Sequence, residues 1–289
     1  MDARPKIVFA DDVHESLLNI FHEELPSGFS LELLQRDTPE DKVRAVETAD
    51  YVMVWAGKLP PEAVSGARQL RLIQMCGQGV DHLPVELARS LGIPVANAGG
   101  TNSTAVAEMA MLLMLAVYRR LIQIDNALRS GAFLKYELRS HFHEIENKTV
   151  GIVGLGTIGK KVAQRLSGFG CRRIYFDIER PDPVIEQSLG VEFVPLNDLL
   201  RQVDILTLHV PLTGETRGLI DAKSLSLMKP TSILVNTSRG PVVDRSALYS
   251  ALVEGRIAGA GLDVFEQEPP EDMPLLHMDQ VVLSPHIAG

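Results

Sequence analysis

The sequence predicts an α/β protein made of two domains, each built on a doubly wound parallel sheet. Short apolar runs, typical of buried strands, alternate with helical patterns along nearly all of the 289 residues. A glycine-rich loop between a strand and a helix begins a second series of the same alternation near mid-chain. Polar or ionisable residues directly follow several strands of that second series. A chain of this length holds two domains or one large one.

The composition restricts the class of protein. Hydrophobic residues make up 45% and charged residues 22%, as is ordinary for a globular protein with a large core. A net charge of −9 argues against a nucleic-acid or membrane surface, since both need basic patches. Cys76 and Cys171 lack metal-ligand spacing, and the N-terminus has no signal-peptide core. We therefore expect a reduced, cytoplasmic protein without nucleic-acid or membrane partners.

The elements can be assigned in order along the chain. Apolar runs predict strands at 6–10, 31–34, 51–55, 72–75, 94–96, 149–153, 173–176, 204–208, 233–235, 257–262 and 281–283. Helical spacing and stop signals predict helices at 13–24, 39–48, 61–66, 183–189, 196–201, 222–228 and 245–254. Residues 97–100 are the expected crossing between domains, which gives domains 1–98 and 99–289.

Ser103 is the predicted N-cap of a long helix that extends to Arg129. In the N-terminal part of this helix, apolar residues occupy nearly every face, so we expect the helix to be buried between the domains or at a subunit interface. The segment 131–147 that follows is irregular, and its His141 and His143 are candidate metal ligands. Their spacing matches no metal motif, and we expect no metal.

The segment 149–177 indicates a dinucleotide site. Strand 149–153 leads into a loop with Gly154, Gly156 and Gly159, a helix follows, and the next strand ends at Asp177. The first glycine permits a tight turn, the second lets the backbone approach a pyrophosphate, and the third lets the helix pack on its strand. The helix N-terminus favours the pyrophosphate, and Asp177 can accept hydrogen bonds from the ribose hydroxyls. A glycine-rich turn without a ligand is the alternative.

Four strand ends carry further polar groups: His209, the run 236–239, Asp263 and His286. Ligands of doubly wound sheets bind outside the carboxyl ends of the strands, so these groups indicate one active site. A nicotinamide exchanges hydride with a carbonyl or carbinol, and His286 can supply the proton. Glu268 is the candidate partner of that histidine, and Arg239 can bind a substrate carboxylate through its planar fork. A 2-oxo or 2-hydroxy acid fits this set.

Four stretches together carry a resemblance to a known family: 150–159, Asn236-Thr-Ser-Arg-Gly240, 261–269 and Ser284-Pro-His-Ile-Ala-Gly289. They resemble the D-isomer-specific 2-hydroxyacid dehydrogenases, with phosphoglycerate dehydrogenases and glyoxylate-hydroxypyruvate reductases among them. The resemblance extends over nearly the whole chain, including the loop 77–81. It implies a flavodoxin-like substrate domain and a Rossmann-like NAD-binding domain, and a homodimer formed through the long helix and the arm after it.

The resemblance also implies roles for single residues. The catalytic residues would be Arg239, Glu268 and His286. The substrate would contact Gln78, Gly79, Val80, Arg239 and His286, with the carboxylate on backbone groups of the glycine-bracketed loop. On local evidence alone, that loop is equally well explained as a plain tight turn. NAD would contact Gly154, Gly156, Thr157, Ile158, Gly159, Asp177, His209, Val210, Pro211, Thr237, Ser238, Arg239, Asp263, His286 and Gly289.

Two departures from the family pattern bear on these expectations. Family chains continue for some tens of residues past the catalytic histidine and return a helix to the first domain, whereas this sequence ends at Gly289. Residues 55–58 occupy a loop that lines the substrate pocket, where phosphoglycerate dehydrogenases tend to carry arginine. The identity of the substrate therefore stays open. Two alternatives to this enzyme class remain. One is a dinucleotide-sensing protein like the C-terminal-binding corepressors, and the other is a formate dehydrogenase, although that family has glutamine at the position of Glu268.

Overall fold

A computed structural model describes residues 4–55 and 57–289. The chain divides into two compact units, one ending at Asn102 and the other formed by Ser103–Gly289. Each unit is an α/β layer structure around its own parallel sheet, as the sequence predicted.

The first unit holds a five-stranded sheet in the order β2-β1-β3-β4-β5. All of its strand pairs are parallel, and the order is that of flavodoxin-like folds. The elements are β1 (Lys6–Phe9), α1 (Glu15–Glu24), β2 (Ser30–Leu33), α2 (Pro39–Val46), β3 (Tyr51–Val54), α3 (Pro61–Gly66), β4 (Leu72–Met75), α4 (Val85–Ser90) and β5 (Val95–Ala96).

The second unit holds a seven-stranded parallel sheet in the order β12-β11-β10-β9-β6-β7-β8. Counted from β6, six of these strands follow the 3-2-1-4-5-6 order of a Rossmann fold, and β12 adds a seventh. The elements are α5 (Ser103–Tyr118), α6 (Leu121–Arg129), β6 (Thr149–Val153), α7 (Thr157–Leu166), β7 (Arg172–Phe176), α8 (Pro183–Leu189), β8 (Glu192–Phe193), α9 (Leu196–Gln202), β9 (Ile205–Leu208), α10 (Ala222–Leu227), β10 (Ile233–Asn236), α11 (Arg245–Val253), β11 (Gly259–Leu262) and β12 (Val281–Leu283).

The sheet of the second unit is apolar on both faces. Successive residues of β10 alternate between two buried clusters: Ile233 and Val235 belong to one, and Leu234 to the other. This alternation follows from the two-residue period of a strand, and it explains why the strands of this unit read as continuous apolar runs. On one face α5 packs closely, because a Cβ at Gly261 would lie 2.9 Å from the Cβ of Leu113.

The structure differs from the sequence prediction in the helix expected from Ser103 to Arg129. Ser103 is the first helical residue of α5 and not its N-cap, and the helix is interrupted after Tyr118. Arg120 adopts a left-handed conformation with φ of 50°, which an α-helix cannot contain. A shorter helix, α6, then begins at Leu121. Two elements, α4 and β8, were not predicted at all.

No helix within the described ranges is long and apolar enough to cross a membrane.

Candidate active site

The glycine loop lies between β6 and α7 and fulfils the geometry of a dinucleotide loop. Gly154 has φ of +93°, and a Cβ there would lie 2.7 Å from the backbone oxygen of His209. A Cβ on Gly159 would lie 2.0 Å from the oxygen of Gly154, so this glycine permits the helix to approach the loop. A Cβ on Gly156 would meet nothing within 4 Å. The second glycine therefore borders open space, where a pyrophosphate would approach the backbone.

Asp177 follows β7 directly and contacts the same loop. Its Oδ2 atom accepts a hydrogen bond of 2.7 Å from the Leu155 N–H, and its Oδ1 atom accepts one of 3.3 Å from Glu179 N–H. The carboxylate thus lies beside the glycine loop at the carboxyl edge of the sheet. This is the position in which an acidic residue can accept hydrogen bonds from a ribose.

Two buried polar atoms at the ends of β9 and β10 have no hydrogen-bond partner within the described residues. They are Nδ1 of His209 and Oγ1 of Thr237. The other ring nitrogen of His209 lies 2.9 Å from the hydroxyl of Thr207. Burial lowers the pKa of His209 to about 3, so its ring is neutral at neutral pH. Unpaired buried polar groups are costly, and a bound cofactor can supply their partners.

His286 and Glu268 form a direct pair. Nδ1 of His286 lies 2.6 Å from Oε2 of Glu268, whose other oxygen accepts a hydrogen bond of 2.9 Å from Phe265 N–H. The hydrogen bond to Glu268 raises the pKa of His286, against the effect of burial. Burial raises the pKa of Glu268, but the hydrogen bonds from His286 and Phe265 outweigh it and lower the pKa overall. The pair therefore favours a protonated imidazole beside an ionised carboxylate.

Asp263 holds the segment that carries His286. Its fully buried carboxylate accepts hydrogen bonds from the Ser284 hydroxyl at 2.6 Å and from the N–H groups of Ile287 and Ala288 at 3.1 Å each. His286 itself has φ of 52°, and its N–H donates to the Asp263 carbonyl at 2.7 Å. A left-handed histidine is strained, and these four hydrogen bonds maintain it.

Arg239 lies in the loop after β10, and buried Asn236 organises that loop. The Asn236 side-chain NH₂ group donates a hydrogen bond of 2.8 Å to the Arg239 carbonyl, and its side-chain oxygen accepts hydrogen bonds from the hydroxyl and N–H of Ser238. A Cβ on Gly240 would lie 2.0 Å from the carbonyl carbon of Phe265, so this loop packs against the one that carries Glu268. The positive charge of Arg239 acts on both members of the histidine–glutamate pair, lowering the pKa of each.

The structure thus brings most of the predicted site residues to the carboxyl edge of one sheet. Thr157 and Ile158 begin α7, Val210 and Pro211 follow β9, Thr237 and Ser238 follow β10, and Gly289 ends the chain. Gln78, Gly79 and Val80 belong to the first unit, where they follow β4. Within that unit the Gln78 carbonyl accepts a hydrogen bond of 2.8 Å from the side chain of Asn97.

Four residues of the site were not singled out from the sequence: Ser284, Phe265, Ile287 and Ala288. All four act through loop conformation, Ser284 by its hydroxyl and the others by their N–H groups. Only Ser284 had a usable signal, because a hydroxyl residue directly follows a strand at the carboxyl edge. Across the ranges 4–55 and 57–289, no group of three or more His, Cys, Asp or Glu side chains could hold a metal ion.

A Rossmann-type sheet with this glycine loop defines a dinucleotide-binding class of protein, and the residues at the loop fit a dinucleotide. The sequence model of the D-isomer specific 2-hydroxyacid dehydrogenase NAD binding domain matches residues 111–288. The chain belongs to the D-isomer specific 2-hydroxyacid dehydrogenase family.

Individual proteins give the same result. The chain is 41% identical to a glyoxylate reductase of Korarchaeum cryptofilum, over 99% of this chain and 87% of that protein. A crystal structure of a glyoxylate reductase from Paecilomyes thermophila superposes with a TM-score of 0.87, at 29% identity over 100% of this chain and 89% of that one. An acyclic imino acid reductase in complex with NADPH and D-Arg gives a TM-score of 0.84, at 29% identity over 98% and 90% of the two chains.

Proposed function

We propose that this protein is an NAD-dependent D-2-hydroxyacid dehydrogenase that interconverts a small 2-oxo acid and its D-2-hydroxy acid, with glyoxylate among its substrates. The observation that carries the proposal is the 2.6 Å pair of His286 and Glu268, beside the charge of Arg239, on the sheet that bears the glycine loop. The resemblance to glyoxylate reductases supports the choice of substrate class.

A nicotinamide dinucleotide held at the loop of Gly154, Gly156 and Gly159 would supply or accept the hydride. In the reducing direction, His286 donates its proton to the oxygen of the carbonyl, and in the oxidising direction its neutral ring takes that proton back. Because Nδ1 contacts Glu268, the proton in transit is the one on Nε2. Glu268 fixes the ring and stabilises the imidazolium without itself changing protonation state.

Arg239 orients the substrate by pairing with its carboxylate, which lies next to the reacting carbon. In our proposal the first unit is the substrate domain, and the backbone at Gln78, Gly79 and Val80 provides further N–H donors for the same carboxylate. The second unit is the NAD-binding domain. Holding the carboxylate in this way orients the substrate before the reaction, which raises the rate by several orders of magnitude.

We further propose a preference for NAD over NADP. A carboxylate at Asp177 accepts hydrogen bonds from a ribose 2′-hydroxyl and repels a phosphate in its place. Three arginines are the counter-evidence, since a nearby arginine can accommodate that phosphate. Arg172 and Arg173 begin β7, at the opposite end of the strand from Asp177, and Arg180 pairs with Glu186 at 2.9 Å. The NADPH complex of the imino acid reductase concerns a relative at 29% identity and leaves this preference as a point for experiment.

We also propose a homodimer in the cytoplasm. The helices α5 and α6 and the segment after them expose large apolar side chains, a feature typical of protein interfaces: Leu112, Leu115, Leu121, Ile122, Leu128, Phe133 and Tyr136. Free Cys76 and Cys171 suit a reducing compartment. Light scattering on the wild type, and on a variant with Leu128→Glu and Phe133→Glu, tests the dimer, which the two charges are expected to dissociate.

The proposed activity is tested by NADH oxidation with purified protein against a panel of 2-oxo acids, with formate and NAD as a separate arm. We expect turnover with glyoxylate and other 2-oxo acids, and none with formate. Tight NADH binding without turnover of any 2-oxo acid would favour the dinucleotide-sensing alternative. Turnover of formate would favour the formate dehydrogenase alternative.

A further inference from the structure

A cavity of about 130 Å³, which we call the Arg120 cavity, lies beside Arg120 in the second unit. Pro230 and Thr231 precede β10 and Ala258 precedes β11, so these lining residues mark the amino-terminal edge of the sheet. His286 lies at the opposite, carboxyl edge, and the four residues of β10 separate the two edges by about 10 Å. The Arg120 cavity is therefore distinct from the glycine loop and from the histidine–glutamate pair.

All of the polar side chains that line the Arg120 cavity can donate a hydrogen bond. They are Tyr118, Arg120, Ser140, His141, His143 and Thr231. Among the residues that the structure describes, no acidic side chain lines the cavity. The hydroxyl of Tyr118 is already engaged, because it donates a hydrogen bond of 3.2 Å to the Asp204 carbonyl. A lining of donors and basic groups favours an anion as the ligand.

The guanidinium of Arg120 is half-buried and has no direct partner. It makes no hydrogen bond and no ion pair within the described ranges. Burial lowers the pKa of Arg120, against the effect of the charge of Asp279. The carboxylate of Asp279 lies beyond ion-pair distance and accepts a hydrogen bond of 3.5 Å from the side chain of Gln123. A partly desolvated cation without a partner is costly, and a bound anion compensates that cost.

His143 is fixed at the same cavity by the end of α5. Its N–H donates a hydrogen bond of 3.1 Å to the Tyr118 carbonyl, and its ring meets the Tyr118 ring edge to face at 5.5 Å between centroids. Burial lowers the pKa of His143, and the positive charges of Lys148, Arg120 and His141 lower it further. These basic groups therefore repel one another, and an anion bound among them relieves the repulsion.

The break between α5 and α6 places Arg120 among the residues that line the cavity. Arg120 adopts a left-handed conformation with φ of 50°, which is uncommon for a residue other than glycine. Its N–H donates a hydrogen bond of 3.2 Å to the Val117 carbonyl, and its own carbonyl accepts one of 3.1 Å from the Ile124 N–H. The neighbouring turns of both helices thus maintain the strained backbone.

We propose that the Arg120 cavity is a binding site for a phosphate-like oxyanion, with the Arg120 guanidinium pairing with two of its oxygens and with Ser140 and His143 donating further hydrogen bonds. The planar fork of a guanidinium matches such an ion bidentately. The cavity volume is well above the about 15 Å³ that one water molecule requires, so a phosphate group fits. This inference concerns a site separate from the proposed active site and does not depend on the proposed function.

The test is isothermal titration calorimetry with inorganic phosphate, at an ionic strength kept constant with NaCl. We expect saturable binding to the wild type, with a Kd of about 1 mM or tighter. Arg120→Asn removes the charge, and asparagine tolerates the left-handed backbone, so the Kd should rise by about tenfold or more. His143→Phe keeps the edge-to-face contact with Tyr118 and removes the ring N–H, so the Kd should rise by about threefold or more.

The matched control is Arg119→Asn, which removes the same charge one residue earlier. The guanidinium of Arg119 lies over the ring of Phe142, 5.4 Å from its centroid, and does not line the cavity. Its Kd should stay within about twofold of the wild type. Arg120→Gly suits the left-handed backbone and supplies the measurement if Arg120→Asn fails to fold.

A parallel titration with glycerol 3-phosphate identifies the source of the phosphate group. An affinity equal to or above that of inorganic phosphate, lost in Arg120→Asn, supports a phosphate carried by a larger molecule whose remainder stays in solvent. Binding of inorganic phosphate alone, again lost in Arg120→Asn, supports the free ion.

Three results overturn the inference. The first is a wild type that shows no saturable binding of either compound. The second is an equal loss of affinity in Arg119→Asn and Arg120→Asn, which would indicate general attraction to a basic surface. The third is binding that persists in Arg120→Asn and is lost in Gly156→Ala, which would place the phosphate at the glycine loop.

Discussion

Replacing Glu268 by glutamine should move the pH profile of the reaction without abolishing it. Glutamine keeps an oxygen that accepts the hydrogen bond from His286 and removes the negative charge. The hydrogen bond and the charge of Glu268 raise the pKa of His286, so this pKa should fall in the variant. Reduction requires protonated His286 and slows as pH rises through the pKa, so its descending limb should move to lower pH. Oxidation requires the neutral ring, so its ascending limb should move to lower pH too.

The size of the displacement follows from the exposure of the pair. A hydrogen bond to a charged group contributes about 1.5–3 kcal/mol when well buried. Here the two side chains are 38% and 35% exposed, so solvent screens the interaction. We therefore take about 1–1.5 kcal/mol, and since one pKa unit corresponds to about 1.4 kcal/mol, the limbs should move by about one pH unit.

The assay is kcat/KM from about pH 5 to 10, in both directions, for wild type and Glu268→Gln. Glu266→Gln is the matched control, because it removes one carboxylate from the same loop; Glu266 lies 3.7 Å from Arg245 and has no hydrogen bond to His286. The control should superimpose on the wild type. If the limbs of Glu268→Gln also superimpose on the wild type, the carboxylate does not govern the titration of His286, and the assigned pair is wrong.

Three further predictions concern substrate and cofactor. Arg239→Lys should lower kcat/KM for glyoxylate by about two orders of magnitude, since lysine lacks the planar fork; a loss below about threefold in a folded variant that binds NADH would contradict the role. Gly156→Ala should leave the melting temperature unchanged and weaken NADH binding by about tenfold or more, because its Cβ enters open space beside the loop; Gly168→Ala, another glycine with nothing within 4 Å, is the control in the same fluorescence titration. Asp177→Asn should raise the kcat/KM ratio of NADPH to NADH by about tenfold, through loss of charge repulsion, and an unchanged ratio would mean that another group sets the preference.

The sequence allowed prediction of the features that depend on local pattern. Strands buried on both faces are continuous apolar runs, so eleven of the twelve strands in the described part of the chain were found, most within a residue or two of their ends. The glycine loop was equally visible, because the spacing of its glycines is a local pattern; in the structure, a Cβ on Gly154 or Gly159 would clash with backbone atoms, and Gly156 borders open space. The break between α5 and α6 was not visible in the sequence, because Arg119 and Arg120 are good helix formers. Only the left-handed conformation of Arg120 reveals it. The missed β8 has only two residues and α4 has six, too short for a period to show.

The contacts of the site depend on loop conformation, which no periodic pattern encodes. Glu268 and His286 are eighteen residues apart, and the loop geometry that brings them to 2.6 Å lies outside regular structure. The same is true of the backbone N–H donors at Phe265, Ile287 and Ala288, whose side-chain identity is irrelevant to the bond they make. Residue types at strand ends can predict which groups meet, but not which atoms do.

Asp263 shows how the scaffold and the chemistry are connected. A carboxylate at the end of β11 could contact a cofactor, yet each of its side-chain oxygens already accepts a hydrogen bond from the segment 284–288. A fully buried carboxylate that accepts three hydrogen bonds fixes its donors in place, because each bond lost would leave a buried polar group without a partner. The strained backbone of His286 therefore rests on a strand end of the sheet, whereas its ring rests on Glu268 in a separate loop. Backbone position and ring protonation therefore depend on different carboxylates. Substitution of Asp263 should disturb the position of the His286 backbone, whereas substitution of Glu268 should disturb the protonation of its ring.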